Sequence, residues 1–167
     1  MSPLDARPVA GDVAPHLALR DADGVEWTLD AAAGSWLVLY FYPKDDTPGC
    51  TIEACEFRDA DRALQDAGAI VWGVSPDDRE SKAAFREKFS LNFPILADGD
   101  HSVAEAYGVW GERTVGDRTF TGTHRVTFLI NPSGQVARVW GSVTPTGHAA
   151  EVLAEITAQT GLTSHKI

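Results

Sequence analysis

The chain has 167 residues, a formal net charge of −10 and two cysteines. That length suits a single domain, 1–167, whose core needs no staples. The acidity argues against nucleic acid and anionic membranes as partners, and two cysteines exclude a disulfide-stapled scaffold.

His16, His101, His124, His148 and His165 are scattered without ligand spacing, so the cysteines have no partners for a zinc site. Residues 1–14 hold no apolar signal region, and no run approaches a membrane span. A reducing cytoplasm is the expected setting, where cysteines are more often catalytic than structural.

In chain order, residues 1–14 read as an extended lead-in. Segments 17–19 and 25–29 read as short strands around the Asp23-Gly24 turn, an N-terminal hairpin. The apolar run Trp36-Leu37-Val38-Leu39-Tyr40 reads as a buried strand. After a polar turn, 51–67 lacks Gly and Pro and reads as a helix ending near Gly68. Ala54, Phe57, Ala60 and Leu64 recur at helical spacing and should face a sheet. Segment 69–74 is the next buried strand. Segment 78–89 is an amphipathic helix with Ala84, Phe85, Lys88 and Phe89 near one side. A short strand at 94–96 and a short helix at 102–107 follow. Residues 111–122 are polar and glycine-containing, a loop or loose hairpin. Strands at 125–130 and 136–140 flank the turn Asn131-Pro132-Ser133-Gly134. The last helix, 147–159, carries Ala150, Leu153, Ala154 and Ile156, and a frayed tail follows Thr160. Strands alternating with helices, then a hairpin, then a helix imply an α/β fold with a mixed sheet and helices on both faces.

The turn Phe41-Tyr42-Pro43-Lys44-Asp45-Asp46-Thr47-Pro48-Gly49-Cys50 joins the buried strand to the long helix, a place where α/β folds put their chemistry. Thr47 suits the N-cap and Pro48 the first helical position. Cys50 then sits in the first helical turn, where free N–H groups and the positive end of the helix dipole favour a thiolate.

The spacing Pro43, Thr47, Cys50 resembles the active-site signature of the peroxiredoxins. The longer string through Cys55 is similar to the Q type, also called bacterioferritin comigratory protein. Gly73-Val74-Ser75-Pro76-Asp77, Ala106-Tyr107-Gly108-Val109 and His124-Arg125-Val126-Thr127-Phe128-Leu129-Ile130 extend the resemblance over most of the chain. It implies a thioredoxin-like fold, with the N-terminal hairpin as an extension, and a thiol-dependent peroxidase acting on hydrogen peroxide and organic hydroperoxides. No flavin, haem or metal is implied. Thioredoxin or a glutaredoxin is implied as reductant, and a monomer as the resting state.

A free cysteine is commonly a small buried hydrophobe. The polar turn and electropositive helix start favour the reactive reading for Cys50, whose oxidation would give a sulfenic acid. The Thr47 hydroxyl is expected to accept from the helix backbone while its proton points toward sulfur or peroxide. Pro43 lacks an N–H and would shield the turn. The resemblance carries the active-site arginine onto Arg125, whose guanidinium would favour the thiolate and hold the peroxide. Strand alternation points Arg125, Thr127 and Leu129 one way and His124, Val126 and Phe128 the other, which makes His124 a poor base. Glu53, placed in the first helical turn, is expected either to orient Arg125 or to be solvated. Asp45 and Asp46 read as a solvated loop.

Cys55 follows Cys50 by five positions, which is not the Cys-x-x-Cys of a disulfide reductase. At ~1.5 Å rise per residue the two Cα atoms would be roughly 8–9 Å apart in an unbroken helix. A disulfide needs them within about 7 Å. If Cys55 resolves the sulfenic acid, as in some Q-type relatives, the first turns of the helix must unwind. Two alternatives remain at this point: a peroxide-sensing or chaperone-like module using the same thiolate, and a thiol–disulfide oxidoreductase indifferent to peroxide.

Overall fold

The computed structural model describes residues 7–161. The expected frayed tail and the start of the lead-in fall outside them. The elements are β1 (Ala18–Arg20), β2 (Glu26–Thr28), β3 (Trp36–Phe41), α1 (Pro48–Asp66), β4 (Ala69–Ser75), α2 (Arg79–Phe89), β5 (Ile95–Ala97), α3 (Ser102–Ala106), β6 (Trp110–Val115), β7 (Arg118–Thr123), β8 (Val126–Ile130), β9 (Val136–Trp140) and α4 (His148–Thr160).

Seven strands form one mixed sheet in the order β2-β1-β5-β4-β3-β8-β9. The three central strands β5, β4 and β3 run parallel, and the flanking pairs are antiparallel. β3 lies between β4 and β8, so the turn leaving its C-terminal end is central and is flanked by the start of β8. This is the thioredoxin-like arrangement expected above.

Strand alternation sorts the core into two layers. Leu37, Leu39 and Phe41 of β3 join Trp72, Val126, Phe128 and the α3 residues Val103 and Ala104 on one face. Val38 and Tyr40 join Leu129 on the other, under Ala54, Phe57 and Leu64 of α1, Phe85 of α2 and Val152 and Ile156 of α4. The three long helices thus share one face, and among the described residues the short α3 and a 3-10 turn at Leu29–Ala32 lie on the other. The stripe expected on α1 is the buried one, with Ala60 partly buried. Gly73 makes this layer possible: a Cβ there would stand 2.8 Å from the Tyr40 ring, which lies directly over β4.

Three expectations need correction. On α2, Ala84 and Lys88 are exposed, while Lys82 and Phe85 are buried. Helical spacing from Phe89 runs back through Phe85 to Lys82, and its ammonium is tolerated inside because it is paired. On α4, Ala150 and Ala154 are exposed; Ala149, Val152 and Ile156 face the sheet. Of the two readings of 111–122, the hairpin is the one observed: β6–β7 pair antiparallel and close at Gly116, whose φ of 64° suits a glycine turn. Asp45 is buried rather than solvated, whereas Asp46 is exposed as expected.

Candidate active site

The turn after β3 places the first turn of α1 beside the start of β8. Thr47 is the N-cap in extended conformation and Pro48 opens the helix, which makes Cys50 its third residue. The first intrahelical bond is Thr51 N to Thr47 O at 2.8 Å. The Gly49 and Cys50 N–H groups therefore lie before it, in the electropositive end of the helix. Cys50 is buried at 1 % exposure, and Cys55 is half-buried. Both are free thiols, and α1 runs unbroken through them.

The Thr47 side chain differs from expectation. It makes no capping bond; its Oγ donates to the Lys44 carbonyl at 2.9 Å. The hydroxyl proton is thus spent within the turn, and what remains is lone pairs able to accept. Pro43 is half-buried in the same turn.

Arg125, just before β8, reaches the helix start. Nη2 donates to Cys50 Sγ at 3.3 Å and Nη1 donates to Glu53 Oε1 at 2.7 Å. Gly49 permits this approach: a Cβ there would meet Arg125 Nη2 at 3.1 Å and Pro145 at 3.4 Å. Burial works against the guanidinium charge, but Cys50 and Glu53 outweigh it and raise its pKa. Glu53 is not solvated: its side chain is fully buried and paired with Arg125. It lies in the second helical turn rather than the first, so the dipole does not account for it. Burial pushes its pKa up to about 7 against the pull of Arg125, and Oε2 has no hydrogen-bond partner among the described residues.

His124 turns away from sulfur, as alternation along the strand requires. Its Nε2 lies 2.9 Å from the Glu112 carbonyl, and burial lowers its pKa. Sequence reasoning missed Lys82 and Asp45, which meet in an ion pair at 2.9 Å behind the turn. The signal for Lys82 was its place on the Phe85 stripe. Asp45 gave no signal, because its partner lies 37 residues away.

The chain matches the model of the AhpC/TSA family over residues 10–139. The chain belongs to the AhpC/TSA family. Within it, the chain is 42% identical to the peroxiredoxin Bcp of Escherichia coli over 153 residues, covering 92% of this chain and 96% of that one. It is 42% identical over 143 residues to the peroxiredoxin Bcp of Bacillus subtilis, covering 86% and 91%. Among solved structures, a Xylella fastidiosa PrxQ variant superposes with a TM-score of 0.87 at 35% identity, covering 92% of this chain and 98% of that one. A Xanthomonas campestris bacterioferritin comigratory protein, described with its alkyl peroxide reduction activity, gives 0.80 at 41% identity, covering 86% and 91%. This AhpC/TSA protein is a peroxiredoxin with a thioredoxin-like fold.

Proposed function

We propose that Cys50 is the peroxide-reducing thiolate of this peroxiredoxin and Cys55 the thiol that resolves it. The observation that carries the reading is the Arg125 guanidinium on Cys50 Sγ at the N-terminus of α1. A peroxide is a weak electrophile, so the site must keep sulfur anionic and stabilise the departing oxygen. Sulfur attacks one peroxide oxygen, the O–O bond breaks, and the other oxygen leaves as hydroxide or alkoxide. Cys50 becomes a sulfenic acid. Arg125 and the free N–H groups of α1 face the developing charge. Thr47 Oγ accepts a hydrogen bond from the hydroperoxide O–H, and Pro43 keeps water from the turn. Glu53 holds Arg125 in place.

Cys55 sulfur then displaces the sulfenic oxygen as water and forms the Cys50–Cys55 disulfide. A dithiol such as thioredoxin or a glutaredoxin restores both thiols and is itself oxidised. Hydrogen peroxide and organic hydroperoxides are the substrates of this reading. On this reading the chain acts as a monomer in a reducing cytoplasm, where its thiols are regenerated. Among the described residues no helix is long and apolar enough to cross a membrane.

The test is a coupled assay of hydrogen peroxide with the thioredoxin system, comparing wild type with Cys50→Ser. Turnover by the wild type and none by the variant is expected. Substantial turnover by Cys50→Ser would remove Cys50 as nucleophile. A wild type that oxidises without turnover would favour the sensing or chaperone-like module instead, and reduction of protein disulfides with indifference to peroxide would favour an oxidoreductase.

A further inference from the structure

Lys82 lies on α2, outside the residues assigned to the reaction, and its side chain is fully buried. A buried ammonium is costly unless it is paired and hydrogen-bonded. Nζ donates to Asp45 Oδ1 at 2.9 Å, to Tyr42 Oη at 3.0 Å and to Ser75 Oγ, with Asp77 Oδ2 at 3.9 Å. Asp45 is gripped in turn from every side. Its Oδ1 accepts from Tyr42 Oη at 2.5 Å and its Oδ2 from Ser81 Oγ at 2.8 Å, while its N–H donates to Asp77 Oδ2 at 2.7 Å.

Asp45 stands midway between Pro43 and Thr47. All of these partners come from the end of β3, from β4 and its following turn, and from α2; none comes from α1. The next residue, Asp46, has a φ of 56°, a left-handed conformation that a non-glycine residue keeps only where its surroundings impose it. Lys88, also on α2, donates to Asp46 Oδ2 at 2.8 Å. The side chains of Asp45 and Asp46 thus tie the active-site turn to α2, and the backbone N–H of Asp45 ties it to the turn after β4, none of these bonds reaching α1.

We propose that Lys82 is a positioning residue of this enzyme: through Asp45 it fixes the 43–47 turn independently of α1. The proposal rests on the peroxidase reading above, in which α1 opens so that Cys55 can reach Cys50. A turn held by α1 would be lost whenever α1 opened. A turn held by Lys82 stays set, keeps the Thr47 carbonyl where it accepts the first helical bond, and serves as the nucleus for α1 to re-form. Helix nucleation is the costly step of helix formation, so a fixed N-cap shortens the return to the peroxide-reactive state. Removing the ammonium leaves the buried Asp45 carboxylate beside the part-buried Asp77 carboxylate with no cation between them, and the turn must open to hydrate Asp45.

The test uses Lys82→Met in the full chain, with hydrogen peroxide as oxidant and two readouts. One is the rate constant of Cys50 oxidation. The other is amide exchange over 43–47 and 48–55, in the thiol and disulfide forms. In the wild type, oxidation should release 48–55 and leave 43–47 protected. In Lys82→Met, exchange over 43–47 should rise at least tenfold in the disulfide form. The peroxide rate constant should also fall about tenfold or more, since small misplacements at a reacting centre carry losses of that order. Asp45→Asn added to Lys82→Met should recover part of both, because one of the two unpaired carboxylates is gone. A merely structural lysine would lower stability without this recovery and without separating the two segments. Wild-type loss of protection over 43–47 together with 48–55 would overturn the proposal, as would a Lys82→Met protein with wild-type exchange and rate. Should Lys82→Met not fold, Ser81→Ala removes only the Oδ2 partner. A smaller exchange increase confined to 43–47 is then expected, and no increase overturns the proposal. The wild-type peroxide rate, measured alongside, reports on the peroxidase reading alone.

Discussion

Arg125 Nη2 donates to Cys50 Sγ at 3.3 Å, joining residues 75 positions apart in the chain. The contact exists because β8 pairs with β3 and so delivers its first residues beside the turn that starts α1. The same guanidinium is held from below by Glu53 at 2.7 Å. One fixed cation thus spans the nucleophile and a buried carboxylate on the next helical turn.

Arg125→Ala should leave the fold intact and slow peroxide reduction by ~10²–10³, the usual loss for one preorganised charge-stabilising donor. Stopped-flow oxidation and circular dichroism measure the two effects separately. An unchanged rate constant removes Arg125 from the chemistry.

Glu53→Gln should flatten a pH dependence of α1 opening. In the closed helix burial holds the Glu53 pKa at about 7, above the ordinary value of 4.5. The closed state therefore binds the proton more tightly, and its added stability is full below about pH 4.5 and lost as pH rises through about 7. Exchange of α1 amides in the reduced protein, corrected for intrinsic rates, should show opening become easier across that window in the wild type but not in Glu53→Gln. Parallel profiles for the two proteins would sink this assignment.

His148 works in the opposite direction. It is buried at the start of α4, with Nε2 2.8 Å from Thr127 Oγ and Nδ1 2.9 Å from Glu151. Its ring sits edge-on to Phe57 and Trp140. Burial lowers its pKa, outweighing the nearby Glu151 and Glu56 carboxylates. The unfolded chain takes up that proton first, so this stability is present above about pH 6.5 and falls as pH drops through the lower folded value. Urea unfolding at pH 7.5 and pH 5 should show a smaller difference for His148→Gln than for the wild type.

The sheet layers and the motif were legible because local pattern encodes them. Apolar runs marked β3 and β4, the Asn131-Pro132-Ser133-Gly134 turn marked the hairpin that follows, and Pro43, Thr47 and Cys50 sit within one turn. Arg125 was legible only through the family resemblance, since an arginine opening a strand is ordinarily a solvated end. The fate of Asp45 and Lys82 was hidden because each is defined by a partner across the fold. The helix faces of α2 and α4 were misjudged where alanine, small enough for either side, was counted as core. Thr47 was placed correctly, but its hydroxyl proton goes to the Lys44 carbonyl rather than toward sulfur, and its oxygen makes no capping bond.

Cys55→Ser should consume one equivalent of hydrogen peroxide and stop at the sulfenic acid, which a dimedone-type trap and mass spectrometry would capture. Added small thiol should restore turnover. A variant that cycles at the wild-type rate with thioredoxin alone would show that Cys55 is not the resolving thiol.

The central claim is that α1 is helical when Cys50 meets peroxide and open when Cys55 meets Cys50. The most direct measurement is hydrogen exchange over residues 48–58, before and after one equivalent of hydrogen peroxide, with the disulfide state of the same sample read by mass spectrometry. The expected result is a Cys50–Cys55 disulfide together with loss of protection through at least residue 55. A disulfide formed while 48–58 stays protected, or the absence of that disulfide after stoichiometric peroxide, would contradict it.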